Sequence, residues 1–545
     1  MQLATTPSKT GHAPRSILRF GRDNWPDFLF ATLVMAAYVL WIYCFRYRGL
    51  LAEDDLYRML VGLLDGARYG TYLASGSHYG KAFSFGYIAA IYRFADARTL
   101  ADPQLLIGLM NEIGFWSATA GCFCFWLLAW ILYGLRTASV AVMLFALSPM
   151  MLELGTSGHP ILPAFALLAA GSCCLLLPAR GVRAILLAGP AVLLLTAALT
   201  ARAEVLLAFP FLALARANFT TLPRFLKSAG QRTIVPMLAA AAFFLIKHVW
   251  VDSTPGTVGA VEYIAGALRP KSIPIGVYTF ALSCGLATTV AGVLAIVAWV
   301  REIRAANSDQ RRALYRAAAG PLLLIVPALS FWIANARPGR HFILCLCGIG
   351  ILAGWLIQRH VTERPLPAYA LVLGIVIGNQ ALAALAGPIF LRYAPSKIAL
   401  LPDGSHHLPH AMLTGSSWGY HRAFVAEQLR TTAFAKRVEG ACDPKTLVLS
   451  LEATQIFADL YPASTVWNAE RGQLRGFLLR ETQLGDRTIW VLSENEGWPD
   501  DPVADVLADP ALRDFKLVRD PNNISIYDQA AMPPDRVAHF GCALQ

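Results

Sequence analysis

Charged residues are scarce in this sequence. Asp, Glu, Lys and Arg together make up 15% of its 545 residues, whereas a soluble domain carries about 25%. Hydrophobic residues make up 56%, and the mean hydropathy is +0.49. This composition argues against an ordinary soluble enzyme and indicates an integral membrane protein with a smaller polar part.

Two kinds of motif are missing. The sequence has ten cysteines but no CxxC pair, and the cysteines at 122–124, 173–174 and 345–347 have no His or acid at zinc-like spacing. The phosphate-binding pattern G-x-x-x-x-G-K-[ST] is absent as well. We therefore predict neither a cysteine metal site nor a P-loop. Only Cys442 and Cys542 lie in the polar C-terminal region, and the sequence leaves open whether they form a disulfide.

Long hydrophobic runs, in contrast, are abundant. A helix needs roughly 20 apolar residues to cross a bilayer, and eleven segments are candidates, although the third and the sixth are short. The first lacks the small-residue cleavage site of a signal peptide and is predicted to be a retained anchor. The predicted segments are about 27–46, 105–133, 138–152, 159–178, 184–200, 203–215, 233–251, 275–300, 319–335, 342–358 and 367–390.

Positive charge is distributed unevenly between the connections. The formal net charge is +11, and Lys and Arg accumulate in the cytoplasmic loops of membrane proteins. With the N-terminus inside, the even-numbered connections are cytoplasmic and carry most of the cations. This asymmetry predicts a cytoplasmic N-terminus and removes the main argument for nucleic-acid binding. The cations concerned are Arg136, Arg180, Arg183, Arg216, Arg224, Lys227, Arg232, Arg301, Arg304, Arg311, Arg312, Arg316, Arg359 and Arg364.

Two large regions fall on the outer side in this arrangement, a first loop and a polar tail. The tail has about 150 residues, which is enough for a core of its own. Four of its segments are typical of strands, with helix-like segments between them; the strands are 446–451, 487–493, 515–518 and 524–528. The predicted organisation is a cytoplasmic segment 1–26, a transmembrane domain 27–390 with its first outer loop at 47–103, and an extracytoplasmic α/β domain 391–545.

Three consecutive acids, Glu53, Asp54 and Asp55, stand near the start of the first loop. Apolar residues recur after them at helical spacing and predict a short amphipathic helix on the membrane surface. The acids at its N-terminus have two interpretations. They cap the helix and suit its dipole, or one of them acts as a general base beside the low-dielectric membrane.

At this motif the sequence resembles the GT-C superfamily of integral membrane glycosyltransferases. That superfamily includes lipid A aminoarabinose transferases and protein O-mannosyltransferases, and it carries a D-[ED]-x-Y motif in the first outer loop. Here the motif is Asp54, Asp55, Leu56 and Tyr57. The resemblance implies Asp54 as the catalytic base, with Asp55 and Glu53 in reserve and Tyr57 at the substrate. It extends to the layout of about eleven helices with an outer C-terminal domain.

The resemblance also implies the reaction and its partners. The donor would be a sugar linked to polyprenyl phosphate, and transfer would be inverting. The acceptor would be lipid A or lipopolysaccharide, a polysaccharide or a protein, on the outer face of a bacterial inner or plasma membrane. The remaining partners would be membrane lipids, with no nucleic acid.

A lipid phosphate needs cations, because the arginine fork can bond two phosphate oxygens at once. Arg337, Arg340 and His341 stand at the outer entrance of a late helix, where GT-C members often have an Arg-Tyr pair. Arg202 and Glu204 interrupt an apolar run, and charges in such a run are costly and usually functional or paired. The alternatives are interfacial anchoring for the first group and a short exposed turn with a local ion pair for the second.

The first loop supplies further candidates. His78, Tyr79 and Lys81 lie in a Gly-rich aromatic stretch that suits close approach to a sugar or phosphate. Adjacent carboxylates can also hold Mg²⁺ or Mn²⁺. No second acidic cluster at fixed spacing supports such an ion, so no metal site is predicted and metal dependence stays open.

Other classes of function compete with the transferase. A transporter or flippase for a lipid-linked sugar would show inverted repeats and interrupted helices with polar residues near the middle of the membrane. Here no repeat is evident, and the notable charges cluster at helix ends. A scaffold would leave the acids as caps only, and surface-glycan polymerases and ligases typically carry their key loops late in the chain.

Overall fold

A computed structural model describes the helical part of the chain and the strands of a C-terminal sheet. The helical part covers residues 17–44, 84–101, 103–155, 157–178, 181–215, 217, 220–249, 273–334, 339–361 and 364–393. The sheet is described at its five strands, β1 Thr446–Ser450, β2 Thr465–Asn468, β3 Thr488–Ser493, β4 Leu517–Arg519 and β5 Ser525–Asp528.

Helices follow the apolar runs closely. The described helices are α1 Ile17–Cys44, α2 Phe85–Phe94, α3 Ala97–Ala101, α4 Pro103–Tyr133, α5 Leu135–Ala146, α6 Pro149–Leu154, α7 Ile161–Leu176, α8 Val182–Ala201, α9 Phe209–Leu214, α10 Leu222–Lys247, α11 Ile273–Cys284, α12 Leu286–Ala305, α13 Ser308–Ala334, α14 Ile343–Leu356 and α15 Pro365–Tyr393. A 3₁₀ turn at Ala203–Ala208 precedes α9, another at Gly339–Phe342 precedes α14, and a π turn at Ile357–Val361 follows α14.

Seven of the described helices are long and apolar enough to cross a membrane, and an eighth crossing results if the bent parts of α13 form one span. Three shorter apolar helices lie at Leu135–Ala146, Ile161–Leu176 and Ala203–Leu214. The chain is therefore an integral membrane protein. Each of the eleven predicted segments contains helix, and the third and sixth are short as expected. Eleven crossings stay a prediction, because the shorter helices, such as those of 12 and 16 residues at Leu135–Ala146 and Ile161–Leu176, have fewer than the roughly 20 residues that cross a bilayer.

The centre of the bundle is α14. A helix that is apolar on every face belongs in an interior, and α14 is buried from Ile343 to Gly354. It packs against α5, α12 and α13. Near the C-terminal end of α14, a Cβ on Gly354 would lie 2.9 Å from the backbone oxygen of Thr137. Only a residue without a side chain therefore allows this approach of α14 to α5.

The eighth predicted segment, 275–300, is not one continuous helix. It breaks at Gly285, whose φ of +89° is a conformation that glycine adopts easily. The side chain of Asn379 from α15 caps the new helix: its Oδ1 accepts hydrogen bonds from the backbone N–H groups of Ala287 (2.8 Å) and Thr288 (3.3 Å). The predicted segment therefore consists of two helices, and a distant residue satisfies the amides that the break releases.

The five strands form one sheet in the order β2-β1-β3-β5-β4. β1 pairs in parallel with β2 and β3, while β5 pairs antiparallel with β3 and β4. Four strands coincide with predicted segments to within two residues. β4 and β5 are antiparallel neighbours, which agrees with the turn-forming sequence DPNN at 520–523. β2 was not predicted. The segments between the strands lie outside the described residues, so the α/β class of this domain stays a prediction.

Candidate functional site

Arg202 lies at a turn where the chain leaves α8. Its φ of −159° ends the helix, and its side chain is 1% exposed. Its Nη1 donates to the Oγ of Ser84 at 3.4 Å, and its Nε lies 3.7 Å from Oε1 of Glu204. The interpretation of this turn as a short exposed one was wrong, because Arg202 is buried. The local ion pair is present.

Glu204 joins two sequence candidates that stand far apart in the chain. Its Oε2 lies 2.8 Å from Nδ1 of His341, 137 residues later. His341 belongs to the 3₁₀ turn that leads into α14, beside Arg340. The side chains of Glu204 and His341 are 11% and 1% exposed. A nearby guanidinium favours the ionised form of this carboxylate.

A second histidine acts electrostatically on this pair. His159 lies in the loop between α6 and α7, is fully buried, and interacts electrostatically with Glu204. Its Nδ1 accepts a hydrogen bond from the backbone N–H of Ile161 at 3.2 Å, so Nε2 carries the proton of the neutral ring. The loop is pressed onto α4, since a Cβ on Gly158 would lie 2.6 Å from the backbone of Met110. We call Ser84, His159, Arg202, Glu204 and His341 the Arg202 corner.

A small cleft opens at the Arg202 corner. Its volume is about 10 Å³, roughly the room of one water molecule. Its polar residues are Glu204 and His341, and its lining is otherwise apolar: Ile161, Phe165, Leu168, Val205, Ile343 and Leu344. Charges beside such a wall interact more strongly than they would in water.

The first loop is attached to this corner at Ser84. Ser84 directly precedes α2, and α2 packs closely on α8: a Cβ on Gly86 would lie 2.3 Å from Oγ1 of Thr200. Arg202, two residues after Thr200, reaches Ser84 from the same side. The loop that carries the acidic motif is therefore held at Ser84 by the turn that carries Arg202.

Four of the sequence candidates lie in the described part of the chain, namely Arg202, Glu204, Arg340 and His341, and the structure brings them to one end of the bundle. The others lie outside the described residues: Glu53, Asp54, Asp55, Tyr57, His78, Tyr79, Lys81 and Arg337, as well as Cys442 and Cys542. His159 was not among the predicted site residues, because a polar residue in a loop between apolar segments is usually solvated; the structure buries it instead.

Within the described ranges, no group of three His, Cys, Asp or Glu residues is arranged to hold a metal ion. The acids of the first loop lie outside those ranges.

The other end of α14 carries a second polar group. Oε1 of Glu302, near the end of α12, lies 2.7 Å from Nε of Arg359 and 2.7 Å from Nε2 of His360. These three residues, which we call the Glu302 cluster, are partly exposed. At the same end of the bundle, the buried carboxylate of Asp27 pairs with Arg136 and accepts a hydrogen bond from Tyr369.

Comparison with known proteins identifies the fold. No family model matches the sequence, and no curated protein matches it. ArnT from Cupriavidus metallidurans bound to undecaprenyl phosphate matches with a TM-score of 0.56 and 14% identity, over 92% of this chain and 98% of ArnT. The fold is similar to that of ArnT.

Apo ArnT gives the same TM-score and identity over 94% of this chain and 99% of its own. The archaeal oligosaccharyltransferase AglB from Archaeoglobus fulgidus, in complex with an inhibitory peptide and a dolichol-phosphate, reaches a TM-score of 0.47 at 13% identity, over 95% and 76%. The likeness to ArnT extends over nearly the whole of both chains and shows the overall fold.

Proposed function

We propose that this protein is a membrane glycosyltransferase that moves a sugar from a polyprenyl-phosphate donor to an acceptor of the cell envelope. The observation that carries the proposal is the Arg202 corner: two sequence-distant charged motifs meet at one end of a bundle with the fold of ArnT. ArnT itself has been solved with undecaprenyl phosphate bound. Arg202, together with Arg340 beside His341, offers the guanidinium groups that suit a lipid phosphate.

The proposed orientation places the Arg202 corner on the outer face. The opposite end of the bundle carries the cations of the connections after α12 and α14, among them Arg301, Arg304, Arg311 and Arg359. Such an excess is typical of the cytoplasmic side. The first loop, 47–103, and the domain 391–545 would then lie outside, as would the acceptor. We propose that the domain covers the site or recognises the acceptor.

The proposed mechanism is a single inverting displacement. Asp54 takes the proton of an acceptor hydroxyl, whose oxygen forms a bond to the anomeric carbon of the sugar. The bond between that carbon and the phosphate oxygen breaks, and its electron pair leaves with polyprenyl phosphate. Negative charge grows on the phosphate during transfer, and fixed guanidinium groups stabilise it there. Asp55 and Glu53 stand beside Asp54 in the sequence as secondary acids.

The remaining residues of the first loop are assigned to substrate binding. Lys81 stands three residues before Ser84 in the sequence, and Ser84 is bonded to Arg202. We therefore assign Lys81 to the phosphate, and His78, Tyr79 and Tyr57 to the sugar or the adjoining head group. Arg337 precedes the 3₁₀ turn of Arg340 and is assigned to the same anion.

The decisive experiment replaces Asp54 by Asn in the native host. The near-isosteric change removes the base, so we expect one sugar to disappear from one class of envelope molecule, with a fall in transfer rate of at least about 100-fold. Mass spectra of lipid A, surface polysaccharide and envelope glycoproteins from strains with equal protein levels would measure this and identify sugar and acceptor together.

Asp96→Asn is the matched control. Asp96 is exposed and caps α3 by accepting a hydrogen bond from the backbone N–H of Thr99 at 2.6 Å, a role that Asn fills equally well. Its spectra should equal those of the wild type. If Asp54→Asn also leaves every spectrum unchanged, the proposed base is wrong, and assays of lipid-linked sugar transport become the next test.

A further inference from the structure

Glu204 is an unexpected residue beside a phosphate site. Its carboxylate lies 3.7 Å from the Arg202 guanidinium, in a corner where Arg202 is 1% exposed. A phosphate-binding guanidinium works best when its charge is not cancelled, yet here the chain places a buried negative charge two residues away. The cost of burying this charge calls for a compensating role.

The two lipid phosphates of the proposed reaction differ in charge. The phosphate of the donor is a diester with one negative charge, whereas the departing polyprenyl phosphate is a monoester that carries about −1.5 to −2 at pH 7. A corner with two uncompensated guanidinium groups would hold the product more tightly than the donor. Slow release of product then limits turnover, as it does in many enzymes.

We propose that Glu204 is a positioning residue that balances the charge of Arg202, so that the corner binds the donor phosphate but releases polyprenyl phosphate. This inference rests on the proposed function. The contact between Oε2 of Glu204 and Nδ1 of His341 at 2.8 Å holds the carboxylate in place. Because the cleft is otherwise lined by apolar residues, the charge of Glu204 is weakly screened there. Glu204 acts through Arg202 and needs no contact with the substrate.

The test is the affinity of the purified full chain for undecaprenyl phosphate, with undecaprenol as the uncharged probe. Glu204→Gln keeps the shape and an oxygen for His341 but removes the charge. We expect it to bind undecaprenyl phosphate about tenfold more tightly, with undecaprenol unchanged and a lower kcat. Damage to the structure would weaken binding, so tighter binding separates charge balance from a merely structural role.

Glu302→Gln is the matched control, since Glu302 also sits between an arginine and a histidine, at the other end of α14. It should leave both affinities unchanged. Unchanged or weaker binding of undecaprenyl phosphate by Glu204→Gln would overturn the inference. Failure of the wild type to prefer undecaprenyl phosphate over undecaprenol would instead overturn the proposed function, and this inference with it.

A second measurement covers the case in which Glu204→Gln does not fold, and it uses the wild type. Undecaprenyl phosphate is a monoester that carries about −1.5 to −2 at pH 7, whereas its methyl ester is a diester with one negative charge. If Glu204 balances the charge of Arg202, we expect the two lipids to bind with affinities within about threefold of each other. Much tighter binding of the monoester would contradict charge balance by Glu204.

Discussion

The two ends of α14 carry the same three residue types in different surroundings. At one end Glu204 meets Arg202 and His341, and at the other Glu302 meets Arg359 and His360. The apolar span between them runs from Arg340 to His360, 21 residues, which at 1.5 Å per residue is about the thickness of a bilayer core.

Burial distinguishes the two groups. Arg202 and His341 have side chains that are 1% exposed, whereas those of Arg359 and His360 are 38% exposed. A half-exposed ion pair contributes about 0–1 kcal/mol to stability. When one partner is removed, water solvates the other. A buried pair costs several kcal/mol of desolvation and is retained where its charges do something that apolar residues cannot. Residue type alone therefore does not distinguish the two ends of this bundle, whereas burial does.

The largest expected difference follows exchange of arginine for lysine at the two ends. Arg202→Lys keeps one charge but loses the fork that reaches both Ser84 and Glu204. We expect the transfer rate to fall about 100-fold, while Arg359→Lys stays within about twofold of the wild type. Sugar transfer by equal amounts of folded protein in membranes measures both. Equal losses at the two ends would refute the functional distinction between them.

A smaller effect is expected from one added methyl group at each end. Gly86→Ala pushes α2 away from Thr200, and Ser84 moves with it, so the rate per folded molecule should fall about tenfold. Gly354→Ala strains the contact of α14 with Thr137 and should cost about 1–3 kcal/mol of stability. Its rate per folded molecule should not change. Transfer rates and thermal unfolding curves of the same detergent preparations measure the two effects. A loss of rate in Gly354→Ala but not in Gly86→Ala would contradict the prediction.

The smallest expected effect concerns the two histidines. His341→Ala leaves a buried oxygen of Glu204 without its hydrogen bond and should lower the free energy of unfolding by about 1–3 kcal/mol. His360→Ala removes a partly exposed contact and should cost less than about 1 kcal/mol. Unfolding curves of the two variants measure the difference. Similar costs would show that both ends are equally solvated.

Much of this fold could be predicted from local composition. Apolar runs locate the helices because a bilayer requires satisfied backbone groups along the whole span. The charges of Arg202, Glu204 and Arg340 were identifiable as candidates for the same reason, since charge at the edge of such runs is costly. Strands such as Thr488–Ser493 are readable from their β-branched and aromatic residues.

What could not be predicted depends on contacts between distant residues. Glu204 and His341 are 137 residues apart in the sequence. No local pattern around either residue indicates that their side chains are in contact. The break at Gly285 looks like an ordinary glycine in an apolar helix, because its cap comes from Asn379 on α15. β2 was missed although β5, which was predicted, has the same length of four residues, so length alone does not explain the difference.

The cap on the broken helix has a consequence for how the protein is made. The backbone N–H of Ala287 donates its hydrogen bond to Asn379, which follows 92 residues later in the chain on the last described helix of the bundle. While the ribosome synthesises that stretch, the amides at the start of α12 need another partner, since the bilayer offers none. The bend at Gly285 therefore reaches its final form only after α15 has been inserted. The last described helix, α15, thus completes the start of an earlier helix, α12.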